Sequence, residues 1–303
     1  MIFRGAFNLF LEDNIFQLYQ ELKNKAYKHS KYTSFYIKDS KLRHIHKACV
    51  KDRVLHHAIF RILYPIFDKL FIFGSYSCRN DKGTHKAINR LQSFCRKESK
   101  NNIKTIYILK LDIRKFFDSI DHNILLSLIR KKVKDENAIW LIKTIINSFS
   151  IKPDEGIPLG NITSQLFANI HLNELDYFIK HNLRIKYYIR YCDDFVVVYD
   201  SKEHLECFIS EISNFLNNLK LSIHPDKIII KKYHQGIDFL GYINFPHHRT
   251  LRTKTKKRML RRINKKIRDL KQNKITEESF NQTIQSYLGV LYEFEHQKSN
   301  GEA

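Results

Sequence analysis

Acidic side chains are in short supply. Only 31 Asp and Glu stand against 53 Lys and Arg in 303 residues, which leaves a formal net charge of +22. Such an excess repels itself, and a polyanionic partner relieves it. Cysteine is sparse and scattered: Cys49, Cys78, Cys95, Cys192 and Cys207 include no Cys-x-x-Cys pair. That disfavours a disulfide framework or a structural zinc site and suits a reducing compartment. Long apolar runs are also missing. No stretch approaches the roughly 20 apolar residues that cross a bilayer. Residues 1–10 are interrupted by Arg4 and followed by Glu12 and Asp13, which is not the pattern of a signal peptide. The expected setting is cytoplasmic, with no membrane partner. With 9 Gly and 5 Pro there is no Gly/Ser linker, and no low-complexity tract or internal repeat divides the chain.

What is present is a large apolar fraction, 43%, with 16 Tyr and 22 Phe. This supports a sizeable core in one large or two smaller domains, and rings left over from the core can stack on bases. Positive charge is concentrated. From Arg249 to Lys274 there are 13 Lys or Arg and one acid, Asp269, so this segment carries +12 of the +22. Leu260, Ile263, Ile267 and Leu270 give it a narrow apolar seam. A solvated face would mix both signs; this one reads as a helix that tracks a phosphate backbone.

Apolar spacing predicts that residues 1–70 are mainly helical, first on Leu9, Leu11, Ile15, Leu18 and Leu22, then on Val54, Leu55, Ile59, Ile62 and Leu63 with an end before Pro65. His44, His46, His56 and His57 lack Cys or Glu at ligand spacing, so a structural or nucleic-acid-facing role is expected. Further helices are predicted at about 84–98, 121–131, 135–149, 163–181, 202–219 and 254–273, with another after 276. Strands are predicted at about 104–113, 187–191, 195–199, 227–233 and 238–243. Irregular alternation of this kind indicates an α+β fold with an antiparallel sheet.

The chemistry concentrates at Tyr191-Cys192-Asp193-Asp194, between two β-type runs. Adjacent carboxylates repel, and exposure or a cation must relieve them. An Asp-rich hairpin turn is the plain reading; half of a metal-dependent phosphoryl-transfer site is the functional one. Asp112 ends another strand, where it can meet that turn. It could equally be a helix N-cap, and Asp118 and Asp121 fit that capping role better. Three carboxylates on two adjacent strands can hold two Mg2+ ions.

Five motifs then occur in one order: Asp112 with Phe117 five residues on, Gly156-Ile-Pro-Leu-Gly-Asn-Ile-Thr-Ser-Gln165, Tyr191-Cys-Asp-Asp194, His224-Pro-Asp-Lys227 and Phe239-Leu-Gly-Tyr242. Over about residues 45–265 the chain resembles a reverse transcriptase of the bacterial retroelement group. Arg53-Val-Leu-His-His57, Ser75-Tyr-Ser-Cys-Arg79 and Lys82-Gly-Thr-His85 are similar to the diversity-generating retroelement type, as are Leu159-Gly160 and Ser164-Gln165, where intron and retroviral relatives show Gln-Gly and Ser-Pro. Some phage-defence reverse transcriptases share that departure.

The resemblance implies a right-hand polymerase, with fingers and palm over 1–245 and a basic helical thumb over 246–303. It implies metal ligation by Asp112, Asp193, Asp194 and the carbonyl of Ile113. Phe117 matches the steric gate against a ribose 2′-OH, although a plain core Phe is the alternative. Leu159 stands where many relatives place a Gln against the incoming nucleotide, which implies reduced base selectivity. Gly160 and Gln165 belong to the same nucleotide-facing motif, and Gly160 permits close backbone approach. Lys227 matches the lysine that protonates or neutralises the leaving pyrophosphate, against the default of a solvated turn Lys. Arg79, Lys82 and Lys86 are candidates for gripping the triphosphate. Tyr191 and Phe239, Leu240, Gly241 and Tyr242 would contact the primer strand, and Arg252, Lys256, Lys257 and Arg261 the duplex backbone.

The implied partners are an RNA template, a primer, dNTPs and a small basic accessory protein. No endonuclease, maturase or RNase H segment is expected in 303 residues, and the chain ends soon after the thumb begins. Two other readings stand beside this one. One is an antiphage or abortive-infection polymerase, protein-primed or template-independent. The other is a noncatalytic RNA-binding protein on the same fold, which the intact Asp112, Asp193, Asp194 and Lys227 disfavour.

Overall fold

A computed structural model describes residues 10–38 and 41–299, with side chains to residue 289. The N-terminal stretch read as no signal peptide lies mostly outside the described residues. In chain order the elements are α1 (Leu11–Lys23), β1 (Thr33–Lys38), β2 (Leu42–Lys47), α2 (Val50–Asp68), α3 (Thr84–Glu98), β3 (Tyr107–Asp112), α4 (His122–Arg130), α5 (Glu136–Ile146), α6 (Ile162–Tyr177), β4 (Tyr187–Tyr191), β5 (Asp194–Tyr199), α7 (Lys202–Asn218), β6 (Ile229–Lys232), β7 (Ile237–Phe239), β8 (Tyr242–Asn244), β9 (Arg249–Leu251), α8 (Thr253–Lys271) and α9 (Glu277–Ser299). The strands form a β1-β2 pair, a four-stranded sheet in the order β4-β5-β3-β6, and a β7-β8-β9 sheet. Among the described residues no helix is long and apolar enough to cross a membrane.

The chain divides into two compact units. One comprises Met1–Gly83, Lys110–Val196 and Glu206–Ile228; the other comprises Thr84–Leu109, Val197–Leu205 and Ile229–Ala303. The first is organised on α6, which packs against α2 and α4. Leu166, Phe167, Ile170, Leu172 and Leu175 are buried all round this helix, as are Asn169, His171 and Asp176. A helix apolar on every side is a central helix, and its polar members must find partners inside. Asp121 and Asp135 cap α4 and α5, accepting from the amides of Ile124 at 2.8 Å and Ala138 at 2.7 Å. Asp121 therefore does the capping work expected of it.

Two local expectations are corrected. Helix α2 does not stop before Pro65 but runs through it to Asp68. Pro65 lies on the exposed side, so water can satisfy the carbonyl that loses its amide. The stripe Ile59, Leu63, Phe67 stays buried across the proline. A proline inside a helix costs about 3 kcal/mol, and each buried large apolar side chain returns roughly 1.5–3 kcal/mol, so continuation wins. The second correction concerns residues 33–47, expected to be helical with the rest of 1–70. They form an antiparallel hairpin, registered from Thr33 opposite Lys47 to Lys38 opposite Leu42. Phe35-Tyr36-Ile37 and His44-Ile45-His46 are aromatic and β-branched residues suited to a strand, and they lie between two longer helical repeats that dominate the periodicity.

In the same unit a buried polar knot pins the segment before the hairpin. Asp52, fully buried, accepts from the Tyr27 hydroxyl at 2.8 Å, the Ser30 amide at 3.0 Å and the Cys49 thiol at 3.0 Å. Burial works to raise its pKa, but these donors and the nearby His29 outweigh burial and hold it below the ordinary value. Beside it the Nε2 atoms of His29 and His56 share a hydrogen bond of 3.0 Å, and His56 Nδ1 meets Thr163 Oγ1 of α6 at 2.7 Å. His29 and His57 add to the effect of burial, Asp52 opposes it, and the pKa of His56 falls to about 4. Burial brings that of His171 to about 4 as well.

The second unit holds α3, the β7-β8-β9 sheet, α8 and α9. Strands β7 and β8 pair from Ile237 opposite Asn244 to Phe239 opposite Tyr242, and β8 pairs with β9 from Tyr242 opposite Leu251 to Asn244 opposite Arg249. Arg249 reaches back to α3, donating to Asn89 and Gln92 at 2.7 Å each.

The two buried imidazoles set an acid limit. In the unfolded chain each protonates near pH 6.5, whereas in the fold protonation waits until about pH 4, so stability present above pH 6.5 is lost as pH falls towards 4. The expected loss is on the order of 3 kcal/mol per histidine across that window. Urea unfolding at pH 7, 6, 5 and 4.5 measures it, and His56→Gln is expected to roughly halve the slope.

Candidate active site

Asp112 ends β3 beside the two-residue connection Cys192–Asp193 that joins β4 to β5. So short a link joins antiparallel strands. Cys192 has φ 57°, the left-handed region that non-glycine residues rarely adopt, and its thiol is held protonated by burial and by the neighbouring Asp193. The Ile113 amide donates to the Asp193 carbonyl at 3.2 Å, which ties the end of β3 to the turn. The Asp112 carbonyl accepts from the His224 amide at 2.8 Å, and Ile113 bridges to Ile223. These bonds bring the Pro225–Lys227 turn to the same end of the sheet, where the Lys227 ammonium donates to the Asp112 carboxylate.

The three carboxylates therefore share one end of the sheet, and their electrostatics follow. Burial, then the Asp112 charge, raises the pKa of Asp193. Burial drives Asp194 up to about 6, with Asp112 and Asp193 adding to the rise and Lys110 opposing it. Lys110 Nζ stands 3.1 Å from Asp194 Oδ2. The other oxygen of Asp194, Oδ1, is buried with no hydrogen-bond partner, and an unsatisfied buried acceptor of this kind is costly. Burial works against the charge on Lys227, but Asp112 outweighs it and holds the ammonium above its usual pKa. Lys41, next to the hairpin tip, reaches Lys227; partial desolvation and the Lys227 charge pull its pKa down.

Acceptor-only oxygens, mutual repulsion and one orphaned carboxylate oxygen are the donor set of a hard divalent cation. Among the described residues no three His, Cys, Asp or Glu side chains close around a common point. Asp112 and Asp194 instead each face an ammonium. The residues fit a cation chemically, and a cation taken up there would displace lysine contacts.

Behind the turn lies a network centred on the fully buried Arg190 and Asp176. Arg190 of β4 donates to Asp176 of α6 through Nε at 2.8 Å and Nη2 at 2.6 Å, to Asn169 Oδ1 and the Cys192 carbonyl through Nη1 at 3.1 Å each, and to Ser75 Oγ at 3.2 Å. Tyr188 adds a 2.7 Å bond to Asp176. All five guanidinium hydrogens are used, and one of them holds the turn that carries Asp193. The Asp176 carboxylate outweighs burial and keeps Arg190 firmly charged.

The other sequence candidates fall into groups. Phe116 takes the core position at 2% exposure; Phe117 is half-buried at 5.4 Å from its ring, with its carbonyl receiving the Ile157 amide at 2.8 Å. Leu159 is half-buried, and its carbonyl accepts from the His46 amide at 2.8 Å. Gly160 has φ 116°, and a Cβ there would lie 2.8 Å from Ile45 Cγ2, so the chain's own β2 makes the close approach. Gln165 is exposed in the first turn of α6, and Tyr191 is half-buried at the end of β4.

Arg79 is turned inward: it donates to Asp68 Oδ1 at 2.6 Å and to the carbonyls of Ile72, Ser75 and Asp68. The fork expected for a triphosphate is spent on closing this loop. Lys82 donates to the Phe73 carbonyl at 3.1 Å and lies 3.4 Å over the Phe73 ring. Lys86 belongs to the second unit.

In the second unit Phe239 and Tyr242 are buried, and the turn between them, Leu240–Gly241, has φ 52° and 89°, as a two-residue hairpin turn requires. Arg252 pairs with Asp238 at 2.7 Å, while Lys256, Lys257 and Arg261 are exposed along α8.

The family model described as reverse transcriptase (RNA-dependent DNA polymerase) matches residues 28–244. This chain belongs to the reverse transcriptase family. Protein YkfC of Escherichia coli is 26% identical over 67% of this chain and 63% of its own length. The group II intron-encoded protein LtrA of Lactococcus lactis is 26% identical over 77% of this chain and 50% of its own. The chain thus spans about half to two thirds of these curated relatives. Among solved structures, apo telomerase from Candida tropicalis truncated from its C-terminal domain superposes with a TM-score of 0.56 at 13% identity, covering 79% of this chain and 60% of that one. Telomerase from the same organism bound to a fragment of telomeric RNA gives 0.55 at 15% identity, covering 71% and 43%. The fold is accordingly the α+β polymerase fold.

Two lysines of this candidate site carry no clear signal in the sequence. Lys110 could have been found, because it lies two residues before Asp112 on the same strand face in an otherwise apolar run. Lys41 could not, because it reaches the site only through the hairpin.

The buried ion pair yields a test. Asp176→Asn strips the counter-charge from Arg190 and is expected to cost about 3–5 kcal/mol. Asp176→Leu combined with Arg190→Met is expected to cost less than Asp176→Leu or Arg190→Met alone, as guanidinium chloride unfolding of all four variants would reveal.

Proposed function

We propose that this chain is an RNA-directed DNA polymerase, joining the α-phosphate of a dNTP to a primer 3′-hydroxyl opposite an RNA template with release of pyrophosphate. The observation that carries the reading is the convergence of Asp112, Asp193, Asp194 and Lys227 at one end of the four-stranded sheet. Asp112, Asp193, Asp194 and the Ile113 carbonyl would hold two Mg2+ ions, which when bound activate the attacking hydroxyl and stabilise charge on the transferring phosphate. The chain's own residues do the rest. Lys227 stays protonated and can donate to, or neutralise, the departing pyrophosphate. Lys41 and Lys110 supply further positive charge beside it. Half-buried Phe117 is available as the gate against a 2′-hydroxyl.

In this reading residues 1–245 are fingers and palm, with the basic α8 in a thumb over 246–303. The context we favour is a diversity-generating retroelement with a template-repeat RNA and a small basic accessory protein. Its support is the Leu159-Gly160 and Ser164-Gln165 departure. An apolar side chain at Leu159 offers the nucleotide no amide hydrogen bond, so error-prone copying is expected.

Extension of a DNA primer on an RNA template with Mg2+ tests the reading. Wild type is expected to incorporate dNTPs, and Asp193→Ala and Asp194→Ala to be inactive. Lys227→Ala is expected to slow incorporation about 100-fold, the low end for loss of a general acid. Leu159→Gln is expected to lower misincorporation in sequenced products; an unchanged error spectrum would remove the fidelity argument. Activity surviving in the Asp193→Ala variant would sink the polymerase reading.

A further inference from the structure

Two helix faces of the first unit look outward with apolar side chains. Of α1 only Leu18 is buried. Leu11, Ile15, Phe16 and Tyr19 are exposed on its other side, Phe16 at 63%. Their spacing puts them on one face of the helix, and a contiguous apolar face left in water marks an interaction surface. Acid accompanies it. Glu12 and Asp13 lie one turn before Phe16, which places both beside its ring. Both are exposed, and neither makes an ion pair among the described residues. With Glu21 against Lys23 the helix carries three acids and one base, in a chain whose net charge is +22.

Helix α2 carries the complement. Its inner stripe packs toward α6, while Val54, Ala58, Ile62 and Ile66 are exposed on the outer side, Ile62 at 67%. Arg53, His57 and Arg61 follow one another at four-residue spacing, so they form a basic stripe alongside the apolar one. None of the three has a carboxylate partner among the described residues, and Arg53 Nε is buried with no acceptor. The side chains Glu12, Asp13, Ile15, Phe16 and Tyr19 enclose an open hollow of about 630 Å3 on α1. Those from Val50 to Arg61 enclose one of about 500 Å3 on α2. Hollows between side chains are what the ridges of another helix fill.

The two faces match each other in apolar character and oppose each other in charge, which is the pattern of partners. The Lys51–Glu21 ion pair, at 2.9 Å, ties the last turn of α1 to the first turn of α2. Both faces therefore belong to one neighbourhood of the surface. A single two-fold axis can use both, because α1 of one copy meeting α2 of the other generates the reverse contact by symmetry. Two such contacts in place of one carry the buried area toward the roughly 1,200 Å2 of a stable interface.

We propose that this chain forms a two-fold homodimer in which the acidic apolar face of α1 docks on the basic apolar face of α2 of a second copy. The net charge of +22 opposes self-association. At physiological salt, however, exposed charges more than about 8 Å apart are largely screened, so the charges in contact decide. There Glu12 and Asp13 meet Arg53, His57 and Arg61.

Sedimentation velocity tests the proposal on the full chain, freed of nucleic acid, at micromolar concentration and physiological salt. Two charge reversals at exposed positions are compared. One variant carries Glu12→Lys with Asp13→Lys, the other His57→Glu with Arg61→Glu. Wild type is expected to sediment as a dimer. Each variant alone faces like charge at both contacts and is expected to dimerise at least about tenfold more weakly. An equal mixture of the two regains opposite charge at both contacts, and is expected to recover most of the wild-type association as a heterodimer, identified by a fluorescent label on one variant. Unchanged thermal unfolding of each variant separates a lost contact from misfolding. A monomeric wild type, a dimer that survives both reversals, or a mixture no tighter than its components would overturn the proposal.

Discussion

Burying a guanidinium away from water is tolerable only if every hydrogen and the charge itself find partners. Arg190 meets that condition with Asp176, Asn169, Ser75 and the Cys192 carbonyl. The condition links parts distant in the chain. Asp176 and Asn169 come from the central helix, Ser75 from the loop closed by Arg79, and Cys192 from the turn with the carboxylates. No one of these can shift without unpairing a buried charge. The site's geometry is thus set from behind, by a buried guanidinium and its partners.

In front of that support the charges are deliberately uncomfortable. Asp193 and Asp194 are raised by burial and by their neighbours, while Lys227 and Lys110 hold two of the three carboxylates by ion pairing. Repulsion held in place by a rigid scaffold is a means of readiness, since an arriving cation or phosphate is met by groups that gain from its charge. The lysines serve here as counter-ions to carboxylates, and in the proposed reaction they would turn to phosphate oxygens.

Much of this was legible in the sequence, and the reasons can be named. Asp112, Asp193 and Asp194 announced themselves because paired carboxylates at strand ends are hard to explain by packing. Helix α6 and the basic α8 were visible in their residue patterns, and Asp121 in its capping position. The hairpin at 33–47 was hidden because its short alternation lies between two stronger helical repeats. Arg79 misled because a guanidinium in a polar, glycine-containing stretch looks like a phosphate ligand, and only the fold brings Asp68 and three carbonyls to it. Lys41 has no signature at all, for its closeness to Lys227 exists only once the hairpin has formed. The strand register carried what periodicity lacked.

The turn that presents Asp193 has one further consequence. Its Cys192 adjoins the reactive centre, yet burial and the neighbouring carboxylate keep the thiol protonated. Oxidants and alkylating agents act on thiolates, so this sulfur is a poor target despite its location. The site places a soft atom beside its hard ones and keeps it in the protonated, less nucleophilic form.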